Sequence, residues 1–512
     1  MKLLLSLLLS LSLLSISAQD YCSHDSHTGI DMGEGSQTDL PIAIVEQSDG
    51  KFVYIGSSYY TGGNYFEASF FRMNSDNTLD PTFGENSRIG HTWDSRNTVV
   101  SATIQEDDKI LVGGYQAPGN AASTIRGYVA RILPDGDVDM DFAEQGSRKM
   151  DEIDGMKSTV VGISQMDEGK IKAAFITNNP PGIGTMQLHE DGSFDSTYAE
   201  TGYMFHAISD VAWQTDYGQG LIREDNSVII IGKYLDGGFV AHPFIAKILA
   251  NGELDSTFAE QGVFRMEEAI PYNFAGVYGE LTSTGDILVG TTTEESPQHY
   301  LLFKINGETG DLVNEFGIDG RTMSTASGSF NQPYDVVIDE EQEVIYSIGE
   351  GSSTGRYPTV WKVDLDGNEV ANCDGDATQV FTSGLGQNGY HAGLIDSNGH
   401  LRLLGQAGTV DTTSGPSQGF NMMVPILPAP SGLEDFSGSR LTVYPNPAEQ
   451  DLYIQNELGT QLNYRITDLL GRRISSGTTY GHISIAELNP GQFILQLELD
   501  KSTISTHMFL KQ

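Results

Sequence analysis

Seven short apolar strands, rich in Val, Ile and Leu, recur along this chain at nearly constant intervals, and no other feature limits the fold as much. They begin at Lys51 (KFVYIG), Lys109 (KILVGG), Lys170 (KIKAAF), Ser227 (SVIIIG), Asp286 (DILVGT), Glu343 (EVIYSIG) and His400 (HLRLLG), with successive starts 58, 61, 57, 59, 57 and 57 residues apart. An alternating strand and an acidic or Gly-containing turn precede each one, so every copy opens as a hairpin. A third strand follows (FFRMN, YVARILP, MQLHED, FIAKILA, LLFKIN, VWKVDLD) and ends in turns such as Asp135-Gly136, Asp191-Gly192, Asn251-Gly252 and Asp366-Gly367. Asx-Gly pairs tolerate the positive φ that tight turns require.

After that turn comes a signature: LDPTFG from Leu79, VDMDFA from Val138, FDSTYA from Phe194, LDSTFA from Leu254 and LVNEFG from Leu312. The sixth copy reads VANCDG, with Cys373 at the aromatic position. A short strand closes each unit. Some 58 residues cannot bury a sizeable core alone, so each unit must stack on its neighbours. Four antiparallel strands repeated seven times predict an all-β fold, a seven-bladed β-propeller of four-stranded repeats. An open β-solenoid is the alternative. Closure favours the ring, because the seventh repeat ends near Pro425 without a signature, while GIDMGEGSQ at Gly29 to Gln37 precedes the first repeat and is placed to complete the last blade. The signature aspartates Asp80, Asp139, Asp195 and Asp255 read as turn hydrogen-bond acceptors. The aromatics Phe83, Phe142, Tyr198, Phe258 and Phe316 read as core.

The LD-x-x-FG element together with DDKILVGG at Asp107 to Gly114 resembles the delta-60 repeat, a family of bacterial extracellular β-propellers, over about residues 38–424. The resemblance implies the fold. It carries no catalytic residues or ligand to this chain.

The ends of the chain read as addresses. Met1 and Lys2, an apolar run to Ile16, then Ser17 and Ala18 have the form of a signal peptide, residues 1–18. Gln19, Asp20 and Tyr21 before Cys22 do not form a lipid-attachment signal. The propeller is expected over 19–424 and a Pro/Gly/Ser-containing linker over 425–438. A small C-terminal β-sandwich is expected over 439–512. This last stretch resembles the type A sorting domain of the type IX secretion system through Tyr444, Pro445, Asn446, Pro447, Asp468, Gly471, Arg472, Leu488, Gly491, Phe509 and Lys511. The resemblance implies the secretion machinery as partner, and a destination outside the cell or on its outer surface, reached through the periplasm.

Residues 439–512 hold 6 basic and 7 acidic side chains, so the net charge of −41 sits on the preceding body. Such a body repels nucleic acid and anionic lipid. The leader's apolar run is too short to span a bilayer as a helix and no other segment approaches the length needed, and the chain is expected to be monomeric. Cys22 and Cys373 flank the expected closure of the ring and are either bridged or two free thiols; neither spacing suits zinc. Asp135, Asp137, Asp139 and Asp141, and again Asp364, Asp366, Asn368 and Glu369, place oxygens in alternation, as calcium requires, but without a full calcium-loop spacing. No cofactor, metal site or catalytic residue is therefore assigned, and no nucleophile elbow or metalloprotease motif occurs.

Specific function should lie where the repeats differ. The segments leading into the first strands hold Trp93, Trp213, Tyr217, Tyr272, Phe274, Phe330, Tyr334, Tyr390 and His391. Aromatic planes beside polar neighbours suit sugar rings or protein surfaces. The expectation is a non-catalytic exported propeller that binds a glycan or a protein. The alternative is a metal-assisted hydrolase or lyase working through carboxylates in the central channel.

Overall fold

In the computed structural model the chain forms two compact units, Met1–Pro428 and Ala429–Gln512. The structure describes residues 38–427 and 441–511, except 61–64, 86, 94–95, 118–124, 151–156, 209–211, 237–239, 268, 272–275, 295, 327–329, 353–355, 372–375, 382–387, 408–425, 445–447, 449, 457–460, 469–472, 487, 489 and 500–501. The signal peptide, Gly29 to Gln37 and both cysteines therefore lie outside the described residues. Among the described residues no helix is long and apolar enough to cross a membrane.

Seven antiparallel sheets make up the described part of the first unit. Six are four-stranded, running inner to outer in chain order, as in Asn97–Ile104, Ile110–Gln116, Arg126–Ile132 and Ser147–Lys149 of the second sheet. The seventh has Asn388–Ile395, Leu401–Ala407 and the two-residue Ile426–Leu427. The second strands are buried on both sides, which is why they read as continuous apolar runs rather than as an alternation. Each sheet packs on the next, and the seventh packs on the first. A separate apolar cluster fills every seam, from Val53, Ile55, Val99 and Val112 between sheets one and two to Ile44, Phe52, Ala392 and Leu404 between seven and one. The ring is closed.

A repeated latch gives the signature its physical meaning. The aspartate turns the chain, as where Asp80 Oδ1 accepts the N–H of Thr82 at 2.9 Å, while its other oxygen takes Arg72 Nε at 2.9 Å. Asp139 holds Arg131 in the same way at 2.7 Å. Each guanidinium then stacks over its own signature aromatic, Arg72 on Phe83 and Arg131 on Phe142, and donates onward to the next blade's turn, to Pro134 O at 2.7 Å and Glu190 O at 2.6 Å. The aromatic itself lies under that turn: a methyl group on Gly136 would stand 2.7 Å from Phe83, and one on Gly192 would stand 2.8 Å from Phe142. An Asx-Gly turn in one repeat is thus the lid on the aromatic of the repeat before it.

Where a repeat lacks the third-strand cation, a neighbouring strand supplies it. The third sheet has Gln187 at that position, and Lys172 on the second strand, fully buried, lies 3.8 Å from the Tyr198 ring and donates to Ala250 O of the next blade at 3.0 Å. At the closing seam Arg402, also on a second strand, pairs with Asp396 at 2.9 Å, stacks on Phe52 of the first sheet at 3.4 Å and reaches Asn77 Oδ1 at 2.8 Å.

The second unit holds two sheets, Leu441–Tyr444, Asp451–Asn456 and His482–Ser484 in one, and Leu462–Asp468, Arg473–Thr479, Gly491–Leu499 and Ser502–Lys511 in the other. Leu452, Ile454, Ile466, Ile483, Phe493 and Leu495 fill the space between them. This is the small sandwich expected from sequence. Tyr444 pairs with Tyr453, Asp468 with Phe493 and Gly491 with Lys511 across their ladders, whereas Pro445, Asn446, Pro447, Gly471 and Arg472 lie outside the described residues.

Gly192 and Gly50 separate the latch from backbone strain, since both have positive φ, but a methyl on Gly50 meets nothing within 4 Å. Gly50→Ala should cost about 1 kcal/mol in chemical denaturation, the usual penalty for a side chain in the left-handed region. Gly192→Ala should cost about 2–4 kcal/mol because overlap with Phe142 adds to that penalty.

Acid should also weaken the ring. The hydrogen bond from Lys170, then that from the Thr197 hydroxyl, holds the Asp195 carboxyl well below its usual 3.8. Stability from a lowered carboxyl is present above its unfolded value and is lost as pH falls below it. Asp195→Asn should therefore flatten the fall in melting temperature between pH 4 and pH 2.

Candidate functional site

The inner strands of all seven sheets surround a cavity of about 420 Å³, lined by Ile42–Ile44, Val100–Thr103, Val161–Ser164, Gln219–Ile222, Glu280, Leu281, Asp335, Ala392 and Gly393. Five of these strands carry a single-residue β-bulge and the fourth sheet's inner strand a wider register shift between Trp213 and Gly218; the bulged residue in the first three sheets is Ile42, Val100 or Val161, each of which lines the cavity. In the sixth and seventh sheets the bulged residues are Tyr334 and His391. Sequence reading put these aromatics in the segments leading into the first strands. The structure puts them in the strands themselves, where the extra residue re-aims the side chain.

Tyr334 and His391 stack face to face, with ring centroids 4.1 Å apart and planes 9° from parallel. The Tyr334 hydroxyl donates to Glu350 Oε1 at 2.7 Å, and Arg356 Nη1 lies 3.4 Å from the same oxygen. Tyr278 meets the Tyr334 ring edge-on at 6.4 Å. Burial raises the Glu350 carboxyl above its ordinary value and lowers the His391 imidazole to about 4, so the imidazole is neutral at physiological pH. A neutral aromatic pair, flanked by a carboxyl and a guanidinium, results.

Directly beyond the bulge the sixth sheet places Asp335, where the first three sheets and the seventh have Ala43, Ser101, Gly162 and Ala392. Asp335 Oδ2 accepts the N–H of Gly393 and Oδ1 that of Val336, both at 2.9 Å. Glu280 Oε2 accepts the N–H of Ile338 at 3.0 Å. Among the described lining residues no Lys or Arg balances these two acids. Burial pushes Asp335 up to about 7; burial, then the Asp335 charge, pushes Glu280 up to about 8. Sequence reading missed both acids, although an acid amid small and apolar counterparts is visible once the bulges set the alignment.

The other expected residues are dispersed. Trp93 packs into the seam between sheets one and two, 5.6 Å from the Tyr128 ring. Tyr390 is wholly buried in the seam between sheets six and seven, against Phe381, so it is core rather than ligand surface. Trp213 and Tyr217 lie in the inner strand Ala212–Ile222 of the fourth sheet, and Tyr272 and Phe274 fall outside the described residues. The acidic clusters are occupied by internal bonds: Asp135 accepts from Asp137 N–H, Asp364 from Asn368 N–H and Nδ2, and Glu369 from Trp361 Nε1 and Thr325. Among the described residues no three of His, Cys, Asp or Glu converge as a metal site.

Residues 47–83, 105–142 and 223–258 match the DUF5122 β-propeller family, a domain of unknown function; the three stretches end on the signature aromatics Phe83, Phe142 and Phe258. Residues 442–511 match the secretion system C-terminal sorting domain. No curated protein matches the chain. Among solved structures, an ulvan lyase of polysaccharide lyase family PL25 aligns with 13% identity and a TM-score of 0.45, over 79% of this chain and 96% of the lyase. The BP39L lectin from Burkholderia pseudomallei aligns with 10% identity and a TM-score of 0.37, over 75% of this chain and 99% of the lectin. Likenesses at this level say nothing of activity or ligand. The chain therefore carries DUF5122 β-propeller repeats followed by a type IX secretion sorting domain, and is exported to the cell surface or released.

Proposed function

We propose that the propeller binds a neutral glycan at the end of the ring where the inner strands begin, with Tyr334 and His391 as the stacking surface. The single observation behind this reading is the parallel Tyr334–His391 pair, each ring one residue before a cavity-lining residue, Asp335 or Ala392, with Glu350 and Arg356 beside it as orienting polar groups. A sugar ring presents an apolar face to an aromatic plane and hydroxyls to its polar neighbours. The net charge of −41 favours an uncharged polymer over an anionic one. The hydrolase or lyase reading rests on Glu280 and Asp335, which enter the channel from adjacent sheets.

Calorimetric titration of the purified chain with neutral polysaccharides tests the proposal. Tyr334→Ala should weaken binding about tenfold, the equivalent of ~1.4 kcal/mol. Trp93→Ala should lower the unfolding temperature and leave binding per folded molecule unchanged. Unchanged binding in Tyr334→Ala, capture of a protein but no glycan, or turnover of the polysaccharide would each sink the reading.

Deleting residues 439–512 should leave a folded propeller in the periplasm, detected by cell fractionation and thermal melting, because the two units have separate cores.

A further inference from the structure

Three successive seams are pinned at the channel by a side-chain oxygen on one inner strand that accepts a backbone N–H from the next. Gln219 Oε1 takes Gly279 N–H at 2.7 Å between sheets four and five. Glu280 takes Ile338 N–H between five and six, and Asp335 takes Gly393 N–H between six and seven. The third pin differs from the others in its neighbours. Asp335 follows Tyr334 immediately, and Gly393 lies two residues beyond His391, so this contact joins the two strands whose bulged residues are the stacked rings.

We infer that Asp335 is a positioning residue, whose bond to Gly393 sets the spacing of the sixth and seventh inner strands and thereby holds Tyr334 and His391 face to face. The inference rests on the reading of that pair as the ligand surface. Tyr334 is also held from within its own sheet: its hydroxyl donates to Glu350, and Arg356, in the connection that follows the Glu350 strand, reaches the same carboxyl. Without the Asp335 pin the seam keeps its apolar packing around Tyr390 but loses the bond that fixes the level of the His391 strand against Tyr334.

The charges around the pin make it pH-sensitive. Asp335 faces Glu280; Glu280 in turn feels Glu340 at the end of its neighbouring strand, and no cation lines the cavity among the described residues. The neutral His391 brings no compensating charge. A carboxyl raised above its unfolded value favours folding most below that value, and the benefit is lost as pH rises through the folded value. The melting temperature should fall between pH 5 and pH 9, and Asp335→Asn should flatten that fall.

The test is nuclear magnetic resonance of the full chain with labelled histidine, the His391 signals being identified by their loss in His391→Gln. In the native chain the Tyr334 ring should shift the His391 ring protons upfield. Asp335→Ala should remove most of that shift and weaken neutral-glycan binding several-fold. Asp335→Asn, whose amide oxygen can still accept Gly393 N–H, should restore both. If Asp335→Ala does not fold, Asp335→Glu, which moves the acceptor by one methylene, should displace the same signals. An unmoved His391 signal in a folded Asp335→Ala or Asp335→Glu chain overturns the inference. Loss of the shift with glycan binding intact would uphold the positioning role and sink the ligand reading instead.

Discussion

The contact between the signature aromatic of one repeat and the Asx-Gly turn of the next is what the remaining architecture depends on. A four-stranded sheet of this size has two apolar faces and no means of covering them. The latch fixes how one sheet sits on another, because an aromatic ring, the cation stacked on it and the turn that covers it must all meet in one place. Phe83 with Arg72 and Gly136 does this at the first seam, and Phe142 with Arg131 and Gly192 at the second. The apolar clusters of the seams then add area to an orientation already set.

Buried cations are awkward residues to keep, since an unpaired one is costly in an apolar interior. Arg72 and Arg131 each do three things: each neutralises the turn aspartate, covers an aromatic face and satisfies a carbonyl in the next blade. The move of this role from the third strand to the second, at Lys172 and again at Arg402, shows that the requirement is for a cation at a place in space. Among the described residues Lys172 has no acid partner of its own, and burial lowers it to about 8, while Arg402 keeps Asp396.

Much of the ring was legible because its rule is repeated. The period, the four strands, the turn glycines and the buried aromatics follow from sequence, since each copy restates the same local chemistry. The sorting sandwich was legible for the same reason, as short alternating strands broken by Pro and Gly. The site was less so. Tyr334 and His391 were picked out as aromatics, but so were Trp93 and Tyr390, and composition alone does not tell a ring buried in a seam, as Tyr390 is, from one stacked on a partner across it. What sets Tyr334 and His391 apart is that each is the bulged residue of its strand, and a bulge is a single inserted residue with no signature of its own. Asp335 and Glu280 were hidden because their meaning lies in whom they face, and the channel brings together residues from seven distant stretches.

The closing seam differs from the other six in one respect that bears on how the protein is made. Ser397 N–H donates to Glu46 at 2.7 Å, between residues 351 apart in the chain, whereas the other seams join segments about one repeat apart. Loop-closure entropy grows only with the logarithm of length, so closing that loop costs about 1.5 kcal/mol more than joining neighbours. Contacts of such separation are nevertheless among the last to form. Six seams can assemble in order as the chain emerges, while the seventh waits for the last sheet and then converts an open stack into a ring. The ring is therefore slow to complete, yet once complete its final seam is held nearly as firmly as those that formed first.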